Sequence, residues 1–179
     1  MHDLGEWLED AYEPSFRAAC LILHNRADAE EAVQEAFLRA WRFRSSMPEG
    51  DGLRPWLYRV LVNTCCSRLR KERPAREAGA DNGWEALEAL PGTDPSPDVI
   101  AASGDVARLV GDVLADLPEH LRIPVVLRYW SGLSEREIAT AIGRRPGTVK
   151  SRLHEARRRL GADPRLGALV DEEAAGGTG

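Results

Sequence analysis

Apolar residues recur at helical spacing along most of the chain, and strand-like alternation and hairpin dipeptides are missing. That pattern predicts an all-α protein. The clearest element is a helix over about Ala29 to Phe43, in which Ala29, Ala32, Val33, Ala36, Phe37, Ala40 and Trp41 form one inward stripe. Asp28 is a suitable N-cap, with Glu31 three residues on. The opposite face carries Glu30, Glu31, Gln34, Glu35 and Arg39, acidic near the N-terminus where the helix dipole favours it. A segment from Arg44 to Gly52 with one Pro and two Gly predicts a loop. A helix from about Arg54 to Glu72 follows, with Trp56, Leu57, Val60, Leu61, Thr64 and Leu69 inward and Arg59, Asn63, Arg68, Arg70 and Lys71 elsewhere. An earlier helix, about Leu4 to His24, completes a small N-terminal bundle.

From Arg73 to Ser96 the period is lost in a stretch rich in Pro, Gly, Ala and acids, which predicts a linker with a helical turn near Trp84 to Leu90. Helical spacing resumes after Ser96-Pro97, a cap followed by a first-turn proline, through Val99, Val106, Leu109, Val110, Val113, Leu114 and Leu117. The chain therefore divides into an N-terminal domain (1–73), a flexible acidic linker (74–96), a second helical domain (97–161) and a disordered tail (162–179).

Three short helices fit between Pro118 and Leu160, the first carrying Pro124. Ser134 caps the second, with Glu137 at the capping-box position, and Gly143 supplies a left-handed turn at its end. Pro146 starts the third. At 100° per residue Val149, Leu153, Ala156 and Leu160 gather in a narrow inward arc. The opposite side presents Gly147, Ser151, His154, Glu155 and Arg158, flanked by Thr148, Lys150 and Arg157. A tightly turned helix pair whose second member shows small, polar and basic groups outward suits the DNA major groove. Lys150, Ser151, His154, Glu155 and Arg158 would meet base edges, and Arg144, Arg145 and Arg152 would meet phosphates, with Gly147 and Thr148 offering free backbone donors.

Charge changes the picture in one respect. The net charge of -5 argues against a nucleic-acid partner until its distribution is read: +6 over residues 54–76 and +6 over 136–159, with -6 before the first island and -8 between them over 77–116. Two basic islands flanked by acidic surface suit a protein that touches DNA twice and another partner with its acids; solvated helix faces are the plainer alternative. Cys20, Cys65 and Cys66 form no metal or disulfide pattern, and no cofactor is implied. The first twenty residues lack a leader pattern and no apolar run reaches membrane-spanning length, which points to a cytoplasmic protein without membrane insertion. His2, His24, His120 and His154 are scattered, with no nucleophile motif, phosphate loop or carboxylate pair beside them, so neither an enzyme nor a small-molecule substrate is expected.

These residues carry a resemblance. Leu117-Pro118, Leu127-Arg128-Tyr129, Gly132-Leu133-Ser134, Glu137-Ile138-Ala139 and the run Gly147 to Arg152 resemble the sigma-4 domain of the extracytoplasmic-function (group IV) sigma factors of bacterial RNA polymerase, in the sigma-70 family. The run Asp28 to Trp41 resembles their sigma-2 core-binding helix, and Pro55 to Val60 with Asn63 resembles the promoter-melting helix.

The resemblance implies a sigma factor that binds core RNA polymerase, directs it to promoters through minus-10 and minus-35 elements, and promotes melting. It implies docking of Glu31, Gln34, Glu35, Leu38 and Arg39 on the clamp coiled coil of the largest subunit, and of the second domain on the flap of the second-largest subunit. In the minus-10 region it implies capture of a flipped base by the loop that includes Arg44 and Ser45, with Arg54, Trp56, Arg59 and Asn63 near the melted strand and Arg68, Arg70 and Lys71 on phosphates. Trp56 stays open between stacking and core. At minus-35 it implies a duplex reading by Arg144, Arg145, Thr148, Lys150, Ser151, Arg152, His154, Glu155 and Arg158. Glu155 departs from the common basic pattern, leaving two roles: accepting from a cytosine amine or orienting Arg158. An anti-sigma factor is implied as a further partner. The rival reading is a stand-alone helix-turn-helix regulator, although no receiver pattern or heptad seam accompanies the motif.

Overall fold

The computed structural model describes residues 4–71 and 104–166. The expected turn near Trp84, the Ser96-Pro97 cap, residues 97–103 and the tail from residue 167 lie outside these. The described residues are helical throughout, joined by short turns. Helix α1 (Leu4–Leu23) contains Pro14 and ends at His24, whose φ of 53° reverses the chain. Helix α2 (Arg26–Arg42) starts one turn earlier than the sequence predicted, because the Asn25 side chain, and not that of Asp28, caps it by accepting from the Asp28 N–H of the first turn. Two short 3-10 turns, Arg44–Ser46 and Gly50–Gly52, lead into α3 (Leu53–Lys71).

The second half holds α4 (Gly104–Ala115), α5 (Glu119–Tyr129, with Pro124 inside), α6 (Glu135–Ile142) and α7 (Pro146–Gly161). Its local signals act as read. Ser134 accepts from the Glu137 N–H while the Glu137 carboxylate accepts from the Ser134 N–H, which satisfies two free donors of α6 reciprocally. Those same bonds hold the Glu137 carboxyl below its ordinary range. Gly143 closes the helix at φ 65°, a conformation that costs an L side chain roughly 1–2 kcal/mol. Residues 162–166, expected in the tail, are among the described residues, and there Arg165 pairs with Asp163 and, across the domain, with Asp116.

The two helical domains pack against each other. One apolar cluster runs from Ala18 through α2 and α3 to α5, α6 and α7. Helix α3 explains how. Its buried residues, Pro55, Leu57, Tyr58, Leu61, Val62, Thr64, Cys65, Cys66 and Leu69, occupy an arc of about 200° at 100° per residue, where a helix on a single bundle needs little more than about 100°. Arg68 marks one edge, ion-paired to Asp28, Glu31 and Glu35 of α2. Cys66 marks the other, roughly 160° away, close enough to Glu119 and Arg122 of α5 to feel both charges. The inward face read from the sequence was therefore only one of two, and Trp56 and Val60, expected inside, are half-buried.

A buried polar layer lies at this contact. His24, Glu119 and Arg122 are almost fully enclosed, and Arg122 Nη1 donates to the carbonyls of Ala115 (3.1 Å) and Leu117 (3.4 Å) at the end of α4. Burial, and then the Arg122 charge, hold the His24 imidazole neutral, its pKa lowered to about 3. Burial likewise pushes the thiols of Cys20 to about 11 and Cys66 to about 12, and Cys65 upward too.

Candidate nucleic-acid interface

Helix α7 owes its orientation to three buried apolar side chains, Val149, Leu153 and Ala156, which fix the opposite face outward. On that face Lys150, Ser151, His154, Arg157 and Arg158 are exposed, and Thr148 is half-buried beside them. Arg145 is the N-cap position and exposed. Ser151 folds its hydroxyl back onto the Gly147 carbonyl at 3.0 Å, so as placed it donates within the helix. Glu155 is clamped: Arg158 reaches it through Nε (2.9 Å) and Nη2 (2.8 Å), and Arg159 through Nε (2.8 Å). These two guanidinium groups hold its carboxyl down at about 2.

Two arginines depart from the expectation. Arg152 is buried, because position 152 lies only about 60° from Val149 on the wheel, at the edge of the inward arc; it is not placed on phosphates. Arg144 is half-buried, with Nε and Nη2 screened from solvent and matched by no protein acceptor.

The first basic island is far more committed to its own fold. Arg59 and Asn63 are exposed on α3, and Arg44 and Ser45 are exposed on the first 3-10 turn. Arg54, however, donates through Nη2 to the Ser131 carbonyl in the second half. Arg68 is spent on the three acids of α2, two of which, Glu31 and Glu35, belong to the expected polymerase face. Arg70 donates to the Cys66 carbonyl and to Ser67 Oγ, both at 3.2 Å. Lys71 ends the helix. The residues 54–76 count as strongly basic in sequence, yet Arg68 is removed from the phosphate set by its pairs.

On α2, Gln34, Leu38 and Arg39 are exposed, and Arg39 bonds Glu35 one turn back. Leu38 does not stand alone. Trp41 and Phe43 are about half exposed as well, and the Arg44 guanidinium lies 5.1 Å from the Trp41 ring centre. Trp41 was read as part of the inward stripe, but it sits about 100° beyond Ala40, off the buried arc. Leu38, Trp41 and Phe43 thus leave three apolar side chains exposed between the acidic face of α2 and the loop before α3; a wheel drawn from the alanines would have revealed the first two.

Comparison with known proteins decides what these surfaces belong to. Residues 10–75 match the model of Sigma-70 region 2, and residues 107–160 match that of Sigma-70, region 4. The RNA polymerase sigma-H factor of Pseudomonas aeruginosa is 32% identical over 159 residues, 84% of this chain and 79% of that protein. The ECF RNA polymerase sigma factor SigL of Mycobacterium tuberculosis is 35% identical over 148 residues, 81% of this chain and 79% of that one. The chain belongs to the extracytoplasmic-function sigma factors of the sigma-70 family.

Among solved structures, the sigma factor RpoE of Bartonella quintana, in complex with the anti-sigma factor NepR, superposes with a TM-score of 0.67 at 26% identity, covering 89% of this chain and 95% of that one. In this sigma factor region 2 accordingly falls on α1 to α3 and region 4 on α4 to α7. With both regions present in order, the rival reading as a stand-alone regulator finds no support. No described helix is long and apolar enough to cross a membrane.

Proposed function

We propose that this sigma factor reads the minus-35 element as duplex through α7 and the melted minus-10 strand through α3 and the loop before it, while α2 docks on polymerase. The observation that carries the reading is the outward face of α7, where Lys150, His154, Arg157 and Arg158 are exposed on a helix fixed by a capped, glycine-turned partner. Lys150 and His154 lie nearest the N-terminal half of α7, the part of a recognition helix that reaches base edges. Glu155 is a positioning residue: with Arg158 and Arg159 on its oxygens it splays those guanidinium groups across the groove edge and lowers the local positive charge.

For the minus-10 region the exposed Arg59 and Asn63 are the residues assigned to the single strand, with Arg44, Ser45 and Arg70 at its phosphates. Exposed Trp41 and Phe43 add an aromatic platform that a base leaving the stack would use, since stacking on an aromatic ring is sequence-tolerant and worth about 1–3 kcal/mol per base. The docking set is Glu31, Gln34, Glu35, Leu38 and Arg39, on the clamp coiled coil of the largest subunit. The second domain rests on the flap of the second-largest subunit, and an anti-sigma factor restrains the protein, as RpoE is held in its complex. The protein acts in the cytoplasm as an initiation factor and catalyses no reaction of its own.

Reconstitution tests this assignment. Core polymerase with the full chain yields a promoter-dependent transcript from the promoter of its own operon. Lys150→Ala loses it most on templates with an intact minus-35 element, and Asn63→Ala loses it whatever the minus-35 sequence. Equal losses on every template for both variants would overturn the division of labour.

A further inference from the structure

The acids of α2 are not independent groups. Asp28, Glu31 and Glu35 lie along one strip of the helix, within about 60° of arc and roughly 10 Å of length, and a single guanidinium from α3 reaches all three. Arg68 Nη1 lies 2.8 Å from Glu31 Oε2 and 3.5 Å from Asp28 Oδ1, while Nη2 lies 3.8 Å from Glu35 Oε2. The other oxygen of Glu35 accepts from Arg39 Nη2 at 2.5 Å. Glu35 is therefore flanked by a cation at each oxygen, whereas Glu31 meets Arg68 through Oε2 and stands 65% exposed.

Arg68 does not face the melted strand. On the wheel of α3 it lies about 140° from Asn63 and about 180° from Arg59, and its side chain is only 21% exposed. Its Nε is enclosed with no acceptor among the described residues, a cost that an apolar side chain packing α3 on α2 would not carry.

We propose that Arg68 is a positioning residue for polymerase docking: reaching from α3 to α2, its guanidinium fork presets the carboxylates of Glu31 and Glu35 and presents Glu31 to the clamp. The proposal rests on the docking reading above. Two effects of Arg68 oppose each other. Its charge offsets one carboxylate, which weakens attraction to a basic partner; its fork orders side chains that docking would otherwise have to order, which strengthens binding. Ordering wins at physiological salt. Partly solvated charges contribute little to a pair and are screened over about 8 Å, whereas each rotamer-rich side chain fixed in advance spares docking about twofold to tenfold in affinity. Glu31 and Glu35 are also like charges one turn apart, which repel when no cation lies between them.

The test is the affinity of core polymerase for the full chain, measured by equilibrium titration at physiological salt. Arg68→Ala should weaken it roughly five- to tenfold, and Glu31→Gln should weaken it as well. In the Glu31→Gln background, Arg68→Ala should cost less than about twofold more, because the two act as one unit. Arg68→Lys keeps the charge but, as a compact point donor, cannot hold two carboxylates in a fork, and should leave most of the loss in place. Helical circular dichroism and the urea midpoint show that each variant is folded. Tighter binding by Arg68→Ala would make Arg68 a charge screen and overturn the proposal. So would full recovery by Lys, or an equal loss with and without Glu31, which marks a residue that only fastens α2 to α3. Arg68→Ala without loss, where Glu31→Gln loses, overturns the positioning role and leaves the docking face standing. Glu31→Gln binding as tightly as the unaltered chain overturns the docking reading itself, and the proposal with it.

Discussion

Helices α3 and α7 lie in basic stretches of equal net charge, +6 over residues 54–76 and +6 over 136–159, and the fold treats them differently. On α7 Lys150, His154 and Arg157 are exposed, and the one acid on the reading side, Glu155, engages the arginines nearest the C-terminal end. On α3 three of the four arginines are woven into the body, Arg54 to Ser131, Arg68 to the acids of α2 and Arg70 to its own helix, and Arg59 is exposed. The helix proposed to read minus-35 keeps its cations exposed, whereas the helix proposed to meet the melted strand doubles as the central beam of the molecule. Charge counted along a sequence measures what a segment carries; only packing decides how much is left for a partner.

The largest effects should come from removing the beam. Leu61→Ala under α3 and Leu153→Ala under α7 each delete a side chain that is 2% exposed or less, and each should cost about 2–5 kcal/mol. Because both side chains belong to one apolar cluster, urea unfolding should move as a single transition in either variant. Two transitions, with each mutation shifting only its own, would separate the halves again.

The next effect is pH-dependent. His24 is kept neutral in the fold, with its pKa near 3 against 6.5 for a free imidazole. The unfolded chain therefore binds the proton first, and stability is full above about pH 6.5 and falls as pH drops toward 3, by up to about 1.4 kcal/mol per unit. His24→Asn should flatten that slope between pH 6.5 and 5.5 in urea titrations, since Asn tolerates the left-handed backbone at this position. An unchanged slope would mean that the imidazole is not the group enclosed beside Arg122.

A smaller effect distinguishes the two islands directly. Lys150→Ala should weaken duplex binding by holoenzyme and reduce its salt slope by about one, while Arg68→Ala should leave the slope unchanged and lower stability by less than about 1 kcal/mol, its pairs being partly solvated. Smallest of all, Glu155→Gln should release Arg158 and Arg159 and steepen the slope by about one on all sequences alike; a changed minus-35 preference would make Glu155 a reader of bases.

What the sequence made legible follows the range of the forces involved. The capping box of Ser134 and Glu137, the turn at Gly143 and the inward arc of α7 are set within a few residues, and all stand as read. Two of the misreadings, on α3 and at Arg68, have distant partners, while those at Asn25 and Arg152 are local. Asn25 outcompetes Asp28 as a cap because the turn at His24 delivers it there. The second apolar face of α3, with Tyr58, Val62 and Cys66, has no helical period of its own, because two neighbours share the helix. Arg68 resembles a phosphate ligand until α2 is folded beside it, and Arg152 until the arc around Val149 is drawn. In the candidate sites, exposure of Arg59, Asn63, Lys150 and His154 accords with their assignment, whereas Trp41 was absorbed into the alanine stripe and Phe43 was taken only as the end of that helix.

The division of labour between the two helices is tested most directly by holoenzyme binding to a fork template, duplex at minus-35 and single-stranded at minus-10, compared with a full duplex. With Asn63→Ala the preference for the fork should disappear while dependence on the minus-35 sequence remains; with Lys150→Ala the reverse should hold. Variants that weaken both templates equally and keep both preferences would contradict the account.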